Sequence, residues 1–237
     1  MSDKEKKVAV RTVGLKKVYG SGNTEVVAMH DASMLVHYGE VVALLGPSGA
    51  GKSTFLTAVG LINPPTSGEV HIGGHLILNG SVPSTNLKAF RRQHIGFVFQ
   101  KSNLIPFLTA VENVQIAMEI NDYSAKSAKK RAMELLEELG MGERFDNYPA
   151  MLSGGQQQRV AVCRALANKP SLILADEPTA ALDSHLGRQV MELFRDIAHR
   201  HGTAVIVVTH DQRALDVFDA IYEMEDGVIK LQEKPGK

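Results

Sequence analysis

Eight residues, Gly46-Pro-Ser-Gly-Ala-Gly-Lys-Ser53, follow the apolar run Val41–Leu45 and lead directly into a helical pattern. Glycines at this spacing let backbone N–H groups turn inward around oxyanions, and the helix that starts there adds its positive end. Pro47, Ser48, Gly49, Ala50 and Gly51 complete the cradle. Lys52 brings a point charge to the outer phosphates of a nucleotide. Ser53 offers a hydroxyl to a divalent cation, and Thr54 follows in the same turn. The plainer account is a Gly-rich turn that caps a helix and binds nothing.

A second segment, Leu172-Ile-Leu-Ala-Asp-Glu177, ends an uncharged strand on two carboxylates. In an open α/β sheet, ligands gather at the C-terminal edge of the strands. Asp176 is suited to steady a metal shell, and Glu177 to polarise a water in line with a γ-phosphate. Taken alone, the pair reads equally well as two acids opening a turn before Pro178. Two further strand ends carry single polar groups. Gln100 closes Ile95-Gly-Phe-Val-Phe-Gln100, where it can join the metal or the attacking water. His210 closes Val205-Ile-Val-Val-Thr-His210, where it fits a γ-phosphate contact that orients the water or Glu177. Each by itself is an ordinary solvated strand-end residue.

Leu152-Ser-Gly-Gly-Gln156 has a separate logic. Ser153, Gly154, Gly155 and Gln156 precede a strong helical run, which makes a second helix start with bare amides. A Ser cap with flexible glycines is the simpler explanation. One nucleotide needs two such cradles only if they close on it from opposite sides. Spacing leaves open whether they meet within one chain or across two.

Positioning these groups requires strands alternating with helices. Val41–Leu45, Ile95–Phe99, Leu172–Ala175, Ala204–Val208 and Ile221–Met224 read as buried strands, with helices at Lys52–Val59, Ser184–Arg200 and after Asp211. The expected fold is α/β, a P-loop core with a mostly parallel sheet covered on both faces. Val8–Val13, Val26–Met29, Ser33–Val36 and Glu69–Ile72 predict an N-terminal antiparallel β subdomain beside it. From about Asn103 to Leu166 the pattern is helical, for example Ala125–Leu139 stopped by Gly140. The predicted organisation is one domain over 1–237. Its catalytic core takes about 1–102 and 168–237, and an inserted helical subdomain of about 103–167 carries the Leu152–Gln156 segment.

The 237 residues suffice for such a domain. Lys plus Arg total 26, as do Asp plus Glu, so the neutral chain has no general attraction to nucleic acid. The basic start (Lys4, Lys6, Lys7, Arg11, Lys16, Lys17) reads as a solvated edge. Cys163 is the one cysteine; it sits in a helical apolar pattern and is expected to be packed and inert. No signal peptide is evident and the apolar runs are of strand length, so a cytoplasmic protein is expected.

Together these segments resemble the nucleotide-binding domain of ABC transporters over nearly the whole chain, with Leu152–Gln156 the most specific mark. The resemblance implies an ATPase with ATP and Mg²⁺ as cofactors, the metal held by Ser53, Gln100 and Asp176, with Lys52, Glu177 and His210 catalytic. It implies a head-to-tail, ATP-dependent homodimer in which residues 46–53 of one subunit face Ser153–Gln156 of the other. Asp183 would lie at the dimer seam, and Tyr19 would stack on adenine. Asn86-Leu-Lys-Ala-Phe-Arg-Arg92 and the stretch from Gln100 to Asn113 resemble the branch serving macrolide, lipoprotein-releasing and heterocyst glycolipid exporters, though Ala180-Ala181 replaces a Gly-Asn pair common there. That branch implies a polytopic membrane permease, a periplasmic adaptor, and a peripheral place on the cytoplasmic face of the inner membrane. Leu104-Ile-Pro-Phe-Leu108 either packs inside the helical lobe or lines a groove for a permease helix. Other readings are an ABC-type ATPase signalling to a membrane partner without transport, as in cell division, an ATPase of ribosomes or DNA, and a small-molecule kinase.

Overall fold

The computed structural model describes residues 7–180, 182–210 and 212–232. Asp211, Ala181 and the first lysines of the basic start lie outside the described residues. The described residues build an 11-stranded sheet in the order β6-β5-β4-β1-β2-β11-β10-β3-β9-β8-β7. Strands β3 (Val41–Leu45), β9 (Ala204–Val208), β8 (Leu172–Asp176) and β7 (Ile95–Phe99) run parallel, and β10 (Ala220–Glu225) joins β3 in the same sense. β11 (Val228–Gln232) is the antiparallel return from β10. It meets β2 (Val26–His37) in a single parallel bridge between Val228 and Asp31.

β3, β7 and β9 are free of polar side chains, as is β8 up to its terminal Asp176, because helices and neighbouring strands cover both faces, while β10 exposes Glu223 and Glu225. In β3, Val41 and Ala43 enter one core and Val42 and Leu44 the other. In β9, Val205 and Val207 part from Ala204, Ile206 and Val208 in the same alternation. One core lies under the inserted helices and α6 (Ser184–His201). The other lies under α1 (Lys52–Val59) and the antiparallel strands. Each buried Val, Leu or Ile contributes about 1.5–3 kcal/mol, so these short runs hold the frame of the site.

The antiparallel part is larger than expected. β1 (Val8–Tyr19) runs past Val13, and Val26–Met29 with Ser33–Val36 form one continuous strand, β2. Irregular register between β1 and β2 bends this long pair, which removes the simple alternation a sequence reader looks for. β4 (Ser67–Ile72), β5 (His75–Asn79) and the two-residue β6 (Val82–Pro83) complete it. Between β7 and β8 come α3 (Ala110–Glu119), α4 (Ala125–Glu138) and α5 (Gly154–Leu166), while α2 (Leu87–His94) precedes β7. The helix expected after Asp211 is a 3-10 segment, Gln212–Val217, broken by non-helical Ala214. No helix among the described residues is long and apolar enough to cross a membrane.

Candidate active site

β3 stops at Leu45, and residues 46–51 wrap back to start α1, whose N-cap is Gly51 at φ 104. Close approach makes two of these glycines obligatory. A Cβ on Gly46 would lie 2.1 Å from the Met224 carbonyl oxygen, and one on Gly51 would lie 2.4 Å from that of Ala28. β2 and β10 thus press on the loop and fix its curve. Lys52 Nζ donates to the carbonyl oxygens of Gly46 and Pro47, at 2.8 Å each. It is held across the loop's mouth, where an outer phosphate would compete for it.

The cavity formed here is about 530 Å³. Its wall includes the loop and first turn of α1, from Gly46 to Thr54 without Pro47 and Ala50, together with Asp176, Glu177 and His210. Parallel register brings these together, because Asp176 is level with Val208 on β9 and with Phe99 on β7. Glu177 then leaves the sheet at φ 47, in the left-handed region. That backbone costs a non-glycine residue of order 1–3 kcal/mol. Its N–H donates to the Val208 carbonyl at 2.9 Å, which helps hold the strained turn. The Glu177 carboxylate and His210 Nδ1 share a hydrogen bond of 2.9 Å. The histidine therefore fixes the carboxylate's orientation from the neighbouring strand.

Burial pushes the Asp176 carboxyl above the usual aspartate range, and the charge of Glu177 adds to this while Lys52 opposes it. A raised folded value means the folded carboxyl binds its proton more tightly than the unfolded one. The contribution is therefore fully present below about pH 4 and is lost as pH rises through the folded value. Asp176→Asn is expected to raise the nucleotide-free melting temperature at pH 7 by about 1–3 °C. The gain should disappear below about pH 4, as scanning calorimetry across pH would show.

The remaining sequence-predicted residues lie outside this cavity's wall. Gln100 is exposed directly after β7. Tyr19 ends β1, with its hydroxyl accepting from Asn63 Nδ2 at 2.7 Å and Lys17 Nζ 5.4 Å from its ring centre. Asp183 caps α6, accepting from the amides of His185 and Leu186 at 3.0 Å each. Ser153 caps α5 in a reciprocal box with Gln156. Cys163 is wholly buried, its thiol pushed far up by desolvation, as its helical apolar setting suggested.

Sequence reading missed two things. Ala28 of β2 lines the cavity, and nothing in its local pattern marks it. The helix α5 is also bound to the segment around Gln100. Gln158 Nε2 donates to the Phe99 carbonyl at 3.2 Å, Ser102 Oγ to Gln157 Oε1 at 3.2 Å, and Arg164 to the carbonyls of Ser102 and Asn103 at 2.7 and 2.8 Å. The run of glutamines after Gly155 was the available signal. Polar residues on the inner side of a helix need partners.

A glycine-rich strand–turn–helix cradle, beside strand-end carboxylates in a mixed sheet, defines a P-loop nucleotide-binding fold. A family model described as ABC transporter matches residues 29–180. An uncharacterized ABC transporter ATP-binding protein of Thermotoga maritima is 44% identical over 97% of each chain. The lipoprotein-releasing system ATP-binding protein LolD of Zymomonas mobilis subsp. mobilis is 43% identical over 92% of this chain and 93% of its own. A dimeric structure of a post-hydrolysis state of the ATP-binding cassette MJ0796 from Methanocaldococcus jannaschii, bound to ADP and Pi, superposes with a TM-score of 0.82. It is 41% identical and covers 96% of this chain and 100% of that one. The chain belongs to the ABC transporter family as an ATP-binding, ATP-hydrolysing subunit.

Proposed function

We propose that two copies of this chain pair head to tail around two ATP molecules, and that their ATPase cycle drives a separate polytopic permease. One observation carries the pairing. Ser153, Gly154, Gly155 and Gln156 form a well-made helix start, yet none of them lines the cavity built by residues 46–54, Asp176, Glu177 and His210. A second copy turned about a two-fold axis supplies that helix start from the opposite side. Dimerisation of the MJ0796 cassette supports this reading. Asp183, at the N-terminus of α6, then sits at the seam, and the exposed Tyr19 ring is available to adenine.

In the proposed chemistry, Glu177 orients the attacking water and accepts its proton, and His210 holds Glu177 in place. Lys52, the loop amides and the partner copy's Ser153 stabilise charge developing on the γ-phosphate. Ser53 and Asp176 are hard oxygen donors in one cavity, and a cation would offset the burial that raises the Asp176 carboxyl. These donors fit Mg²⁺, which when bound would neutralise phosphate charge; Gln100, just past the end of β7 and outside the cavity's wall, is proposed as a further donor.

For the permease, the edge strand β7 borders a groove of about 450 Å³, whose wall includes Phe97, Phe99, Ile120, Arg92 and Arg164. The adjoining apolar segment divides. Leu104 packs onto the core, while Phe107 is 76% exposed. Buried Asn113 sets this division, accepting from the Ile105 amide at 2.7 Å and donating to the carbonyls of Ile105, Leu108 and Thr109. Exposed apolar surface beside the nucleotide-linked strand supports docking of a membrane partner. Similarity to a lipoprotein-releasing ATP-binding protein supports the export or lipid-moving kind, and we place the chain peripherally on the cytoplasmic face of the inner membrane through its permease, where a periplasmic adaptor can complete the assembly. Phe107→Asp and Ile120→Asp are expected to leave basal hydrolysis within about twofold, since surface changes cost little stability. Both should abolish copurification of a polytopic protein from detergent-solubilised membranes. Copurification of a cell-wall hydrolase regulator in its place would favour signalling over transport.

A further inference from the structure

Opposite the nucleotide cavity, at the edge where β8 and β9 begin, α4 meets the ends of α5 and α6 around a second hole. Its volume is about 120 Å³, and Arg131, Leu166, Lys169, Pro170, His201 and Thr203 line it. That is under a quarter of the roughly 530 Å³ of the nucleotide cavity, a space suited to a small tetrahedral oxyanion. Arg131 Nε is fully buried and has no hydrogen-bond partner among the described residues. A buried guanidinium donor left without an acceptor is costly, and native structures rarely keep one. The nearest carboxylate, Glu134, stands 3.8 Å from Arg131 Nη1, beyond hydrogen-bond range, with its side chain half exposed.

The surrounding groups leave donors in excess. Lys169 makes no ion pair among the described residues, and its amide closes the end of α5 on the Leu166 carbonyl at 2.9 Å. His201 Nε2 meets Glu138 at 3.1 Å. Thr203 Oγ1 spends its proton on the Pro170 carbonyl at 2.7 Å. The C-terminal ends of α5 and α6 each add about half a negative charge, cancelling about one of the two full charges on Arg131 and Lys169. With Glu134 beside Arg131 and Glu138 beside His201 also counted, the wall is close to neutral, and what asks for an acceptor is the unpaired guanidinium N–H in a small, partly open hole.

We propose that this hole is a second anion site taking a free, phosphate-sized oxyanion between Arg131 on α4 and Lys169 before β8. A bound ion there ties the inserted helices to the loops that open β8 and β9, so its occupancy stiffens the joint between them.

The test uses inorganic phosphate on the full chain carrying Lys52→Ala, which weakens phosphate binding at the nucleotide cavity. Thermal unfolding and ³¹P line broadening are followed in phosphate against chloride at matched ionic strength. Phosphate should raise the melting temperature and broaden the resonance. Lys169→Gln, at an exposed position, and Arg131→Met should each weaken the apparent affinity by about tenfold or more, as loss of a charge-assisted contact does. If Arg131→Met fails to fold, Lys169→Gln alone decides. Equal phosphate effects with and without Lys169, or none at all, overturn the proposal. So does binding confined to phosphatidylglycerol vesicles, because it would assign the interaction to a lipid surface and not to a free ion in this hole.

Discussion

Glu177→Gln is expected to lower steady-state ATP hydrolysis by about 10²–10⁴-fold while leaving ATP binding intact. The glutamine keeps the size of the side chain and can still hydrogen-bond to His210, so the turn after β8 and the cavity survive. What disappears is the proton acceptor. The strained Glu177 backbone is held by the Val208 carbonyl, a contact the substitution does not touch. With hydrolysis blocked, ATP should accumulate in a dimer visible by size-exclusion chromatography with light scattering. Full turnover in this variant would remove Glu177 from its assigned role. His210→Ala, which frees the carboxylate to rotate, should reduce kcat more than KM, because it disorders the acceptor rather than the cradle.

A larger qualitative effect is expected from mixing two inactive variants. Lys52→Ala disables the cradle and Ser153→Arg disables the second helix start, so each homodimer should be nearly inert. In a mixed dimer both lesions face each other at one site, and the other site is intact. Random pairing in an equal mixture should therefore restore up to about a quarter of wild-type activity, by two-fold symmetry. The restored rate should also fall on dilution, as dimers dissociate. Absence of rescue, with both variants folded and mixed dimers demonstrated, would mean that Lys52 and Ser153 serve a site within one chain. Ser153→Arg also sacrifices a helix cap, which costs about 0.5–2 kcal/mol. Circular dichroism of that variant separates this loss from the catalytic one.

The parallel strands and their terminal groups were legible because they are contiguous. Val41–Leu45, Ile95–Phe99 and Ala204–Val208 begin and end where the apolar pattern says, since a strand buried on both faces has no polar positions to blur it. α1 was likewise legible over its full length. The bent β1–β2 pair was legible only in parts, and the short β5 and β6 and the return strand β11 were not, because half-exposed strands, several with shifted register, lack a clean period of two. The 3-10 segment after His210 read as a helix because its residue types suit either form, and packing decides between them.

By itself the sequence determined the chemistry on offer: a cradle for phosphates, two strand-end carboxylates, and a second capped helix start, each encoded by neighbours in the chain. Only the tertiary structure decided which of these share a space. Sheet order set Asp176 level with Val208, brought His210 to Glu177 at 2.9 Å, and left residues 153–156 out of the same cavity. Local spacing cannot encode such relations, because they arise from pairing strands that are far apart in the chain.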